Sequence, residues 1–340
     1  MPPRSRFIGV PMPLSPSDFH SQAAFDREVA QLRRCWVPVC RGDEVAEAGA
    51  QKAVAAAGAP VLITRDREGR LQALSNVCRH RAMTLVEGEA RAEAIRCPYH
   101  LWTYALDGAL TAAPFMEPDD VKGCDLPRYG VCEWGGWVFV DLSNAAKPLG
   151  ALLAPLEADL QPARLATLAI GFRLAFQHDW NWKVLVENFG ESYHHIGPHA
   201  GTLQPLWPGG RTDATPSTAD WIDIRHPDHP VAGELRVFVV FPLLLLATTP
   251  SESGATWYRL NPLGPERIEL EIVGLYPPDL AADPGRMERA KATLLAVHQE
   301  DMAVCDRVQA GLKSPDAVLG PLSKLEAGIA RFRAWVEARQ

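Results

Sequence analysis

The chain has 340 residues, 47% of them hydrophobic and 22% charged, with a formal net charge of −7. This length suits two domains better than one core, and the composition is ordinary for a soluble globular protein. The acidic balance and the lack of a Lys/Arg-rich run argue against nucleic-acid or polybasic membrane partners, and no apolar run reaches the roughly eighteen residues of a membrane span.

The N-terminal stretch MPPRSRFIGVPMPLSP has no apolar h-region with a small-residue cleavage site, so the sequence predicts no signal peptide. Helical spacing of Phe25, Val29 and Leu32 follows over Phe19–Arg34, with Ser21 placed to cap it. From Trp36 to about Leu142 the pattern is short β-branched or alternating runs, WVPVC, PVLITRD, LQALSNV and GWVFVDL, broken by Gly, Asp and Pro. Within it the Ala-rich EVAEAGAQKAVAAAG reads as a surface turn or short helix. NAAKPLGALLAP reads as a linker. Strand-like runs come next (RLATLAIGFRLAFQHDW, ELRVFVVFPLLLLATTP, ATWYRLNPLG and RIELEIVGLYPP), followed by a long helix over Pro284–Leu312 and another from Leu322 towards Gln340. Strands and helices without βαβ alternation predict an α+β fold with an antiparallel sheet. The expected division is a helical segment 1–35 packing on the C-terminal domain, an all-β domain 36–145, and a second domain 146–340.

Of the seven cysteines, Cys35, Cys40, Cys124, Cys132 and Cys305 are scattered without a disulfide framework, which fits a reducing cytoplasm. The other two belong to NVCRHRAMTL and RCPYHLWTY, spaced as Cys78-x-His80 and Cys97-x-x-His100. Thiolates and imidazoles are ligands of zinc and of iron–sulfur clusters. Structural zinc sites are usually Cys-rich, whereas two Cys and two His suit a Rieske [2Fe–2S] centre, in which each residue type holds one iron. A purely chance arrangement is the bland alternative.

A second cluster lies in ENFGESYHHIGPHAGTL, where Glu191, His194, His195 and His199 fall close together. Two of these histidines with a distant carboxylate would make the 2-His-1-carboxylate site of non-heme iron oxygenases. His-rich loops can equally cap helices or sit in solvent. In VHQEDMAVCDRV the neighbours Glu300 and Asp301 would leave a helix about 100° apart, so only one of them could face a metal. Asp306 and Gln309 are either support for it or a solvated face. Asn188 and Tyr193 could orient ligands. Trp207, in the loop LQPLWPGG, is the leading candidate for a substrate-pocket wall, ahead of Trp221, Trp257 and Tyr258, each of which could be core instead.

These motifs resemble the Rieske non-heme iron oxygenases, the terminal oxygenase alpha subunits of the ring-hydroxylating family, over nearly all of Trp36–Leu312. The resemblance implies a helix-grip-like catalytic domain behind the Rieske domain. It assigns Cys78, His80, Cys97 and His100 to the [2Fe–2S] cluster and His194, His199 and Asp301 to a mononuclear Fe(II). Glu191 falls at the family's bridging carboxylate, between a Rieske histidine of one subunit and an iron histidine of its neighbour. Glu rather than Asp there is more frequent among enzymes acting on quaternary ammonium compounds. His195 matches no ligand position and competes with His194; Glu300 competes with Asp301. Many members have Gly where this chain has Ala82 and Leu101.

The implied activity is mono-oxygenation, by hydroxylation or demethylation, of a small aromatic or quaternary ammonium substrate. O2, a separate reductase or ferredoxin and a homotrimer go with it. A cis-dihydroxylating dioxygenase is the alternative on the same fold, and a non-enzymatic electron carrier or a zinc module is the alternative of another class.

Overall fold

The computed structural model describes residues 14–160, 163–215, 220–249 and 254–338. The N-terminal stretch without an h-region falls almost entirely outside them. The chain forms two compact units, one from Val29 to Thr167 and the other from the residues up to Glu28 together with Leu168 onward. Among the described residues, no helix is long and apolar enough to cross a membrane.

Helix α1 covers Gln22–Leu32, with Ser21 Oγ accepting from Ala24 N at 3.3 Å as its spacing predicted. The first unit then runs through β1 (Val37–Arg41), β2 (Ala50–Ala56), β3 (Ala59–Arg65), β4 (Leu71–Ser75), β5 (Glu89–Arg91), β6 (Ile95–Arg96), β7 (Thr103–Tyr104), β8 (Leu110–Ala112), β9 (Arg128–Trp134) and β10 (Trp137–Asp141). Seven strands form an antiparallel sheet in the order β1-β10-β9-β4-β3-β2-β5, and β6-β7-β8 form a small one. The β9–β10 hairpin turns on Gly135 and Gly136, both at positive φ, as a tight two-residue turn requires. β2 corrects the expectation for the Ala-rich stretch. Pairing with β3 on one side and β5 on the other makes it a sheet member, so tertiary context overrides the helix preference of alanine. The stretch read as a linker is likewise half helix, in α2 (Leu149–Leu160).

The second unit contains β11 (Ala169–His178), α3 (Trp182–Phe189), β12 (Asp213–Thr215), β13 (Trp221–Arg225), β14 (Arg236–Val240), β15 (Leu244–Thr249), β16 (Gly254–Gly264) and β17 (Arg267–Tyr276). Helices α4 (Pro278–Ala281), α5 (Pro284–Leu312) and α6 (Ala327–Glu337) follow. The sheet is antiparallel throughout, in the order β11-β17-β16-β15-β14-β13-β12. This is the α+β architecture predicted, with α3 packed on β14 and β16, and α5 on β11. Asp283 caps α5 by accepting from Arg286 N at 3.0 Å, and Pro284 occupies its first turn, where a missing N–H costs nothing.

Buried polar contacts pin α3, whose C-terminal end leads into the histidine motif. Lys183 is fully buried with Glu28 at 2.5 Å, and the Trp182 indole donates to the same carboxylate at 2.8 Å. Gln309 of α5 accepts from Asn181 N at 3.0 Å and donates to Phe19 O at 3.1 Å. Gln309 is therefore a buried anchor of α3, while Asp306 is exposed.

Candidate functional site

Two turns of matching geometry carry the first Cys/His set. Cys78 N donates to Met83 O at 2.8 Å and Ala82 N to Cys78 O at 3.1 Å; Cys97 N donates to Trp102 O at 2.8 Å and Leu101 N to Cys97 O at 3.1 Å. Closing each turn places Ala82 (φ 56°) and Leu101 (φ 60°) in the left-handed region, which favours glycine. The strained positions are those where many members of the resembled family have Gly.

Both cysteines are free and buried in an apolar cluster with Leu62, Leu74, Trp102 and Tyr104. The two imidazoles stand further out, His80 exposed and His100 half-exposed, with ring centroids 4.7 Å apart. His80 stacks on Trp102 and His100 on Tyr99. Burial and the neighbouring Cys78 push the Cys97 thiol up; partial desolvation, His80 and Arg81 hold His100 below the usual histidine range. Paired thiols inside and paired imidazoles outside are a donor set that fits a [2Fe–2S] cluster with one iron on each pair. Tyr104 Oη lies 3.3 Å from Cys78 Sγ and accepts from Arg79 N at 3.1 Å.

The second set begins where α3 ends. Gly190 closes the helix through its N–H to Val186 O, and the chain passes Glu191 into a 3-10 turn over Tyr193–Ile196. This turn needs glycine beside it: a Cβ on Gly209 would lie 1.9 Å from Ser192 O. The turn and the loop after it present His194 and His199, and α5 brings Asp301. Their donor atoms all lie within 4.8 Å of one another. Asp301 Oδ1 is 2.9 Å from His199 Nε2, 3.5 Å from His194 Nε2 and 3.2 Å from Asn188 Nδ2, which donates to it. Burial alone would raise the Asp301 carboxyl, but the His199 hydrogen bond, the two histidines and Asn188 outweigh it and hold the group below the usual range.

Each histidine has a further carboxylate on its other nitrogen. His194 Nδ1 meets Glu191 Oε1 at 2.6 Å, and His194 N donates to Glu191 Oε2 at 3.1 Å. His199 Nδ1 meets Glu300 Oε2 at 2.7 Å. Carboxylates facing both Nδ1 atoms favour the tautomers that leave both Nε2 lone pairs directed at one point near Asp301. Two imidazoles and one carboxylate converging there fit a mononuclear iron of the 2-His-1-carboxylate kind.

His195 is turned to other partners. Its Nδ1–H donates to Trp207 O at 2.9 Å, its ring stacks on His226, and burial pushes its pKa down to about 3. His226 donates from Nδ1 to Leu235 O, since a carbonyl only accepts, and so its Nε2 takes the Ser192 hydroxyl proton at 2.8 Å. Trp207 has both its carbonyl and its indole N–H (to Gly233 O, 2.9 Å) committed. Trp257 is fully buried within the sheet, and Tyr258, also buried, packs edge-on to Phe189 at 5.0 Å. Sequence reasoning missed Thr202 and His226; the only available signal for Thr202 was its place three residues after His199.

Comparison with known proteins identifies the two domains in which these side chains lie. The family model described as "Ring hydroxylating alpha subunit (catalytic domain)" matches residues 165–340, and "Rieske [2Fe-2S] domain" matches residues 35–130. The chain belongs to the ring-hydroxylating alpha-subunit family and is an oxidoreductase of the Rieske oxygenase type. It is similar to choline monooxygenase, chloroplastic, of Spinacia oleracea, 26% identical across 95% of this chain and 77% of that protein. The glycine betaine monooxygenase oxygenase subunit of Pseudomonas aeruginosa is 33% identical across 49% of this chain and 37% of that protein. In fold it resembles the quaternary ammonium Rieske monooxygenase CntA, with a TM-score of 0.88 and 24% identity over 96% of this chain and 94% of that one. The cofactors of the chain are thus a Rieske [2Fe–2S] cluster and a mononuclear iron, and it works with O2, an organic substrate and electrons from a reductase.

Proposed function

We propose that this chain mono-oxygenates a small quaternary ammonium compound, by hydroxylation or N-demethylation. Substrate C–H, O2, two electrons and two protons give the C–OH product and water. When bound, the cluster supplies electrons singly and the mononuclear iron activates O2. Cys78, Cys97, His80 and His100 hold the cluster, and His194, His199 and Asp301 hold the iron. The carrying observation is the crowd of carboxylates around that point: Asp301, Glu191 and Glu300 all meet the two histidines. Against a dication, three formal negative charges leave the site net negative, which favours a cationic substrate over a neutral isostere. The activities for which the relatives are named, choline and glycine betaine mono-oxygenation, point the same way.

In this reading the functional domains are 36–145 and 146–340, with segment 1–35 assigned to the latter; the contacts of Phe19 with Gln309 and of Glu28 with Lys183 support that assignment as far as Glu28, while Val29 onward groups with the other unit. The assembly is a homotrimer in which Glu191 links His194 to a cluster histidine, His80 or His100 of the partner subunit. Apolar side chains left exposed on each unit support a head-to-tail ring: Tyr99 and Leu101 beside the cluster turns, Tyr193 and Ile196 beside the iron turn. Five cysteines outside the cluster motif, scattered in the sequence without a disulfide framework, support a cytoplasmic setting.

The test is product analysis under 18O2 with a surrogate reductase, using choline, glycine betaine and carnitine against a neutral aromatic hydrocarbon. One labelled atom per turnover is expected, in the hydroxylated quaternary ammonium product or, for N-demethylation, in formaldehyde released with the tertiary amine and trapped before it exchanges with water. Two labelled atoms on adjacent carbons of the neutral ring would replace this reading with the dioxygenase. His199→Ala and Asp301→Ala should each lose the mononuclear iron while the low-g Rieske EPR signal of the reduced protein persists. Retention of that iron in both variants would refute the ligand set. Native mass spectrometry reads the trimer.

A further inference from the structure

Glu300 and Asp301 are neighbours on α5, and their side chains leave the helix about 100° apart. The structure nevertheless brings both to one imidazole. Asp301 Oδ1 meets His199 Nε2 at 2.9 Å, and the longer Glu300 side chain reaches round to Nδ1 at 2.7 Å. The His199 side chain is fully buried. The same Glu300 oxygen accepts a second hydrogen bond, from Thr202 Oγ at 2.6 Å. Thr202 is held in place by its own N–H to His199 O at 3.1 Å, so the loop that carries the histidine also carries the hydroxyl that steadies its carboxylate partner.

We infer that Glu300 is a positioning residue of the iron site: with Thr202 it fixes the ring angle and the Nδ1–H tautomer of His199, leaving Nε2 as the iron donor. An ionised carboxylate only accepts hydrogen bonds, so Nδ1 must carry the proton when the two are bonded. A carboxylate behind a ligating histidine orients the ring and makes it a stronger donor, and removing such a partner typically weakens metal binding by about 10- to 100-fold. Glu191 makes the corresponding bond to His194, but in the proposed function it also serves the partner subunit's cluster. Glu300 has its oxygen committed inside one subunit. The inference rests on the ligand set proposed above.

The experiment measures Fe(II) affinity on cluster-loaded protein by competition with a chromophoric chelator, together with the Co(II) d–d spectrum of cobalt-loaded protein. Glu300→Ala should weaken Fe(II) binding about 10- to 100-fold and alter the Co(II) band pattern, with the Rieske EPR signal unchanged. Glu300→Gln keeps an acceptor and should recover part of the affinity, and Thr202→Val should give a smaller loss. If Glu300→Ala is poorly folded, the Gln and Val variants carry the test. Fe(II) affinity within about threefold of wild type in all variants would overturn the inference. So would complete loss of iron in Glu300→Ala with retention in Asp301→Ala, which would make Glu300 the ligand itself. If His199→Ala and Asp301→Ala both keep the iron, the proposed ligand set fails instead.

Discussion

Tyr104→Phe should lower the midpoint potential of the [2Fe–2S] centre. The Tyr104 ring is fully buried, and its hydroxyl accepts from Arg79 N, which leaves the phenolic proton to point at Cys78 Sγ 3.3 Å away. Burial pushes the phenol's pKa up, so it remains a donor at any working pH. Reduction adds negative charge to the cluster, and a hydrogen bond to sulfur stabilises the reduced form more than the oxidised one. A hydrogen bond to a charged group is worth about 1.5–3 kcal/mol, and if half to two-thirds of that is differential, about 1–2 kcal/mol is lost on substitution. At 59 mV per 1.4 kcal/mol for one electron, the midpoint falls by about 40–90 mV. Phenylalanine fills the same volume in the apolar cluster, so the turns keep their shape. The assay is an EPR-monitored redox titration of the isolated oxygenase. A shift smaller than about 10 mV, or an upward one, with the Rieske line shape intact, would refute the reasoning.

Leu101→Gly relieves a left-handed residue and should raise the urea midpoint by an amount worth about 0.5–1 kcal/mol, since L-residues pay a steric cost at that φ. A lower midpoint would mean that the Leu101 side chain, 55% exposed, contributes packing after all. His226 and His298 are both buried, and burial pushes each pKa down to about 4, below the ordinary value near 6.5 in the unfolded chain. Their contribution is therefore full above pH 6.5 and is lost as pH falls towards 4, because the unfolded state takes up the protons. Two such groups give a limiting slope of about 2.7 kcal/mol per pH unit, readable as urea-midpoint stability against pH. A flat profile across that window would show that these imidazoles find compensating partners in the fold.

Much of this organisation can be read in the residues, and the gaps have physical causes. Helix α5 spans the predicted Pro284–Leu312, and the structure shows a local cause for its start in the Asp283 cap and Pro284 in the first turn. Strand β2 is hidden because alanine carries no β signal of its own; pairing with β3 and β5 decides it. At Glu300–Asp301 the helical wheel gives directions of departure but not side-chain reach, so one carboxylate was expected at the site and two arrived on opposite nitrogens of His199. Ala82 and Leu101 stand out in the sequence only as departures from a family's glycines; the positive φ at both explains why glycine is usual there. Trp207 illustrates the opposite case, an aromatic in a polar loop whose polar atoms are both used to hold that loop against His195 and Gly233.

His199 and Asp301 are 102 positions apart in the chain. An ion held by both acts as a staple across that whole stretch. Closing a loop of about 100 residues removes roughly 4–5 kcal/mol of chain entropy from the unfolded ensemble by the cross-link formula. Part of that ion's binding energy would then be folding energy of strands β12–β17 of the catalytic sheet, which lie between the two clasped ends. Starvation for iron would then thin the population of folded enzyme as well as idle its chemistry, making metal supply a control on how long each molecule survives.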